Sequence, residues 1–170
     1  MSFISYFITP SNYPLNKIFE SIKFHKPTFV CYRNKSYFDK DEIIKFATFS
    51  KKFSKVFINI DDLKDESLIE YFDGVHLTSS KLNLVEDFKD KIVISSTHSI
   101  EEVIKAKNSD YITFSPIFDS KGRKGLGVDI LDTLPHNNIL ALGGITSNKE
   151  VEEVKKTKAK GFASIRYFLI

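Results

Sequence analysis

The segment NNILALGGITSNKE, residues 137–150, decides the fold: a short apolar run passes into two glycines and then into a helix start. A run that is apolar on consecutive positions, rather than alternate ones, suits a strand covered on both faces, and such strands belong to parallel sheets. Ser147, followed three positions later by Glu150, carries the side chains of a capping box, in which each satisfies a backbone N–H of the first helical turn. Strand, tight loop and capped helix together make one βα unit.

The same unit recurs on either side. Short β-type runs fall at 3–8, 28–33, 56–60, 73–77, 91–95, 110–114, 138–142 and 161–166, separated by segments with helical spacing. Asp39 with Glu42 and Ser99 with Glu102 repeat the capping signature. Parallel pairing needs a crossover longer than a hairpin, which these segments supply. Eight units favour an α/β fold of the (β/α)8 TIM barrel type. Such barrels ordinarily take at least about 200 residues. With 170 residues, the chain is expected to have shortened or missing helices, and an open doubly wound sheet is the alternative. No linker or low-complexity stretch interrupts the pattern, so one domain over 1–170 is expected.

Composition narrows the function. The 25 basic and 22 acidic residues are interspersed, giving a net charge of +3 that mildly favours anionic ligands without the clustered basic surface of a nucleic-acid binder. No apolar run approaches the roughly 18 residues of a membrane span. The first ten residues lack a basic flank and a cleavage signature, so no signal peptide is expected. Cys31 is the single cysteine, which excludes an intramolecular disulfide and fits a reducing, cytoplasmic setting. Most of the sixteen Phe lie in apolar runs and read as core.

In a parallel barrel the residues just after each strand converge on one face. After the seventh run, Gly143 and Gly144 permit close backbone approach and precede a helix N-terminus suited to phosphate; a plain tight turn is the alternative. After the sixth, Ser120, Lys121, Arg123 and Lys124 sit on a segment hinged by Gly122, Gly125 and Gly127, which reads as an anion lid or as a solvated loop. Arg33 and Lys35 end the second run, where a cation needs an anion or a carboxylate partner. The fifth junction offers Ser96 and His98. His76 falls within a strand and reads as a hydrogen-bonded wall residue, whereas His25 and His136 have no supporting context. Residues 155–160 read as an exposed basic helix face. No metal signature is present: Asp61 and Asp62 would need ligands from elsewhere, and the fourth junction supplies Lys81.

Taken in order, these junctions resemble the thiamine phosphate synthase/TenI family along the chain. The resemblance is carried by YRNK (32–35), FIN (57–59), GVHL (74–77), SSTHSIEE (95–102), SPIFDSKGRKGLG (115–127) and ALGGIT (141–146). It implies an enzyme that joins hydroxymethylpyrimidine diphosphate to thiazole phosphate with release of pyrophosphate. It also implies roles. Arg33, Lys35 and Asn59 would face the pyrimidine diphosphate, Ser96 the reacting centre, Ser120 and Arg123 the pyrophosphate or lid, and Gly143 with Gly144 the thiazole phosphate. His98 and Arg166 would border the same ligands. Partners implied are small phosphorylated ligands (thiazole phosphate, pyrimidine diphosphate or thiamine phosphate), with neither nucleic acid nor membrane, and a homodimer left open.

The departures concern Mg²⁺, the family's metal. Ile60 stands where the resemblance expects one magnesium acid and Lys81 where it expects the other, so that Lys81 is a substrate-binding candidate standing in as a point charge, and Cys31 replaces a glutamine. A TenI-like tautomerase would place a histidine after the sixth strand, where this sequence has Pro116. A non-catalytic module binding thiazole phosphate or thiamine phosphate is the remaining alternative.

Overall fold

The computed structural model describes residues 2–170; Met1, the first of the ten N-terminal residues considered above, lies outside the described residues. Eight strands close into one barrel in sequence order, each parallel to its neighbours. They are β1 (Ile4–Ile8), β2 (Phe29–Tyr32), β3 (Lys55–Asn59), β4 (Gly74–Leu77), β5 (Ile92–Thr97), β6 (Tyr111–Phe114), β7 (Ile139–Leu142) and β8 (Gly161–Ser164). All eight expected runs are strands, and closure of β1 on β8 excludes the open sheet.

The helical layer is reduced, which is how the chain builds a barrel at this length. Among the described residues four α-helices remain: α1 (Leu15–His25), α2 (Lys40–Ser50), α3 (Ile100–Lys105) and α4 (Asn148–Lys155). After β3, β4 and β6 the return path runs through 3₁₀ segments, Glu66–Tyr71, Ser79–Phe88 and Val128–Asp132. The expected caps form: Asp39 accepts the Glu42 N–H at 3.1 Å and Ser99 that of Glu102 at 3.2 Å. The basic 155–160 stretch does not continue as a helix face. α4 ends at Lys155, and Lys158 turns back to donate from its N–H to Asp132 and from Nζ to the Leu134 carbonyl.

Strand alternation sorts the core into two layers. Ile4, Tyr6 and Ile8 point into the barrel with Phe29, Cys31, Phe57, Ile94, Leu140 and Ala163. Phe7, Val30, Val56 and Ile58 point outward to α1 and α2. Aromatic rings fill the barrel axis: Tyr6, Phe29 and Phe57 pack at centroid distances of 5.0 to 5.9 Å, and His76 lies 5.7 Å from Tyr6. These rings floor the barrel and leave its upper end open at the strand C-termini.

Candidate active site

A cleft of about 780 Å³ opens at the C-terminal ends of the strands. Arg33, Lys35, Asn59, Ser96, His98, Ser120, Arg123, Gly143, Gly144 and Arg166 all line it. Of the candidate site residues singled out from the sequence, Lys81, Lys124 and Asp62 lie outside that lining. A smaller recess of about 290 Å³ adjoins it and adds Asp62, Tyr37 and Lys64 to Arg33 and Lys35.

The segment carrying Arg33 and Lys35 is held by four successive N–H groups, each accepted by a side-chain oxygen. Arg33 N–H donates to Thr9 Oγ1 at 3.2 Å, Asn34 N–H to Asp62 Oδ2 at 3.1 Å, Lys35 N–H to Ser11 Oγ at 2.8 Å, and Ser36 N–H to Asn34 Oδ1 at 2.9 Å. The cations therefore stand on a fixed backbone, which lowers the ordering cost of binding an anion. Asp62 is 5% exposed, and burial pushes its carboxyl up to about 6, a rise moderated by the Asn34 N–H and the Arg33 charge. Asn59 uses Oδ1 to accept the Asp61 N–H at 3.0 Å, so its Nδ2 is the donor left for a ligand.

Beneath the cleft a buried chain joins three strands. The Tyr6 hydroxyl lies 2.7 Å from His76 Nδ1, and His76 Nε2 lies 2.7 Å from Ser96 Oγ. Burial, with the nearby Arg33 charge, lowers the imidazole to about 4, so His76 is neutral at pH 7 and one ring nitrogen donates while the other accepts. Either tautomer is satisfied, and Ser96 is fixed in both. His76 is thus the hydrogen-bonded wall residue that the strand pattern suggested. His98, by contrast, sits at the rim with Nδ1 3.4 Å from Glu102 Oε1, and its N–H donates to the same carboxylate at 2.7 Å.

On the other side the sixth and seventh junctions pack together. Gly143 and Gly144 have φ of +105° and +71°. A Cβ on Gly143 would lie 2.8 Å from Pro116 Cα, and one on Gly144 2.6 Å from the Asp119 carbonyl oxygen. The glycines are therefore required first by the loop from β6, and only then by a ligand. Ile117 N–H donates to the Leu142 carbonyl and Phe118 N–H to that of Gly143. Ser120 and Arg123 exchange two backbone hydrogen bonds, and Gly125 N–H is held by Asp119 at 2.7 Å. The segment read as a lid is internally tied into a turn that places Lys121 and Arg123 on the cleft and leaves Lys124 outside it.

The helix N-terminus expected to receive phosphate is already capped. Glu150 accepts from Thr146 N–H, Thr146 Oγ1 and Ser147 Oγ at 2.6 to 3.1 Å, which holds its carboxyl down at about 2. Anion contacts on this side are left to the Gly143 and Gly144 backbone, Arg123 and Arg166. β8 ends at Ser164, so Arg166 stands two residues beyond the strand, at the start of a 3₁₀ turn, and is exposed. Ser164 was not singled out from the sequence; its Oγ donates to the Ile145 carbonyl at 2.6 Å and ties the β7 loop to β8.

The residues present do not fit a divalent metal. Asp61 Oδ1 receives Lys81 Nζ at 2.7 Å, Asp62 turns to the Asn34 N–H, and among the described residues no cluster of three metal-ligating side chains occurs.

A closed (β/α)8 barrel whose strand ends converge on a cation-lined cleft defines the class. Within it, a family model described as thiamine monophosphate synthase matches residues 5–168, and the chain belongs to that family. A sequence comparison with curated proteins finds no match. Among solved structures, a thiamine phosphate pyrophosphorylase from Pyrococcus furiosus superposes with a TM-score of 0.77 at 20% identity, over 96% of this chain and 85% of that one. One from Bacteroides thetaiotaomicron gives 0.67 at 20%, over 98% and 84%. FabK from Thermotoga maritima gives 0.73 at 11%, over 99% of this chain and 59% of that one, which illustrates how widely the barrel itself is shared. No helix is long and apolar enough to cross a membrane among the described residues.

Proposed function

We propose that the chain is a transferase of the thiamine phosphate synthase type, working in the cytoplasm with residues 1–170 as one unit. One observation carries this reading: two cationic groups share a single cleft from opposite sides of the barrel, Arg33 with Lys35 beyond β2, and Arg123, Arg166 and the paired glycines beyond β6 to β8. One side suits a pyrimidine diphosphate and the other a thiazole phosphate. As the bond from the pyrimidine methylene carbon to the diphosphate oxygen breaks, pyrophosphate leaves with the electron pair, and Arg33 and Lys35 neutralise its charge. The thiazole nitrogen then forms the new bond to that carbon. Ser96, positioned by His76, supplies a hydroxyl between the two groups. Asn59, Ser120 and His98 border the ligands.

A thiazole tautomerase is the weaker reading, because Ser115 and Pro116 occupy the junction after β6 and His98 is engaged with Glu102. The test is purified protein with both substrates, assayed for thiamine phosphate, beside a calorimetric titration with thiazole phosphate alone. Turnover abolished by Arg33→Ala supports the transferase. Binding without turnover reduces the chain to a binding module, and absence of both rejects the ligand class.

A further inference from the structure

We propose that Lys81 joins Arg33 and Lys35 as a third cation on the diphosphate side of the cleft, so that this chain binds phosphoryl groups there without a divalent metal. The inference rests on the reading of the cleft as a phosphorylated-ligand site and concerns how that site is charged.

Three observations support it. First, the carboxylates at the β3 junction are committed elsewhere. Asp61 is bonded to Lys81 Nζ at 2.7 Å, and Asp62, nearly buried, accepts the Asn34 N–H. Magnesium demands near-octahedral oxygen coordination, built from one or two carboxylates plus waters and phosphate, and with Asp61 paired to an ammonium and Asp62 turned to the Asn34 N–H the junction is short of ligands for it. Second, Lys81 is placed rather than merely nearby. It is the one residue in the Ser79–Phe88 segment with non-helical backbone, φ −124° and ψ 25°, and its N–H donates to the Thr78 carbonyl at 2.9 Å. That kink sends its side chain back across to the β3 junction. Third, the ion pair is easily exchanged. Its side chains are 43% and 52% exposed, and pairs in that setting contribute about 1 kcal/mol or less. A phosphoryl group, with more charge and more acceptor oxygens than one carboxylate, can draw Lys81 from Asp61 toward Arg33 and Lys35.

A lysine is a point charge and cannot bridge two phosphates as a metal does. The site is therefore expected to bind a diphosphate through several single contacts and to show no dependence on added metal.

The test uses the full chain with inorganic pyrophosphate as probe, in EDTA and in Mn²⁺, with Mn²⁺ binding followed separately by electron paramagnetic resonance. The wild type is expected to bind pyrophosphate in EDTA and to take up no Mn²⁺ at millimolar concentration. Lys81→Gln should weaken the EDTA affinity about ten-fold, the loss of one charged contact. Lys81→Asp should lose that affinity and gain Mn²⁺ binding, and circular dichroism of both variants confirms that the barrel is intact. Pyrophosphate binding that requires Mn²⁺ in the wild type overturns this inference alone, as does an unchanged affinity in Lys81→Gln. Binding in neither condition overturns it together with the ligand reading beneath it.

Discussion

Acidification should release the link between β1, β4 and β5. His76 is 4% exposed, and both ring nitrogens are engaged, by the Tyr6 hydroxyl and by Ser96 Oγ. Burial and the Arg33 charge lower its value from 6.5 to about 4. A histidine whose folded value lies below its unfolded one contributes stability that is complete above the unfolded value and is lost as pH falls through the folded one. The window is therefore pH 6.5 down to about 4. A difference of about 2.5 units, at about 1.4 kcal/mol each, amounts to about 3 kcal/mol. Urea denaturation followed by circular dichroism, at several pH values from 7.5 to 4, should show the wild type losing about that much more than His76→Gln, in which nothing titrates at this position. Parallel pH dependences in the two proteins would refute the buried neutral imidazole and, with it, the fixed Ser96.

Asp62 should act in the opposite sense over a neighbouring window. Its carboxyl rises from 3.8 to about 6, so its contribution is present below 3.8 and lost as pH rises through 6. Asp62→Asn keeps an acceptor for the Asn34 N–H without the charge. From pH 4 to 7 it should gain about 1 to 2 kcal/mol on the wild type in the same urea assay, a figure reduced from the full shift because the site borders solvent; a pH-independent difference argues against it. Ser11→Ala removes the acceptor of the Lys35 N–H. Pyrophosphate affinity should fall about five-fold, the equivalent of about 1 kcal/mol, while the melting temperature stays within a few degrees. An unchanged affinity means that the braced loop does not position the cation.

The barrel was legible because consecutive apolar runs such as IVIS and ILAL have one physical meaning, a strand covered on both faces. Shortness of the chain correctly implied that helical segments would be lost. Their positions, after β3, β4 and β6, were not legible, because 3₁₀ segments carry no strong periodicity. Residues at strand ends were readable as cleft-lining because parallel closure brings every junction to one face. What escaped was the support beneath them. Tyr6, His76 and Ser96 are joined only by the register of β1, β4 and β5, and the Tyr6–His76 contact alone spans 70 residues. Glu150 and Ser147 show the limit of a motif: the same capping box that announces a helix start also occupies the Thr146 and Lys149 N–H groups, two that a phosphate would otherwise use.

The central claim is a phosphoryl site at the β7 loop, and a crystal structure of the protein with thiazole phosphate tests it most directly. Phosphate oxygens are expected about 3 Å from the Gly143 and Gly144 nitrogens, with Arg123 or Arg166 completing the shell. Phosphate seated away from these glycines at saturating ligand, or none in the cleft, would contradict it.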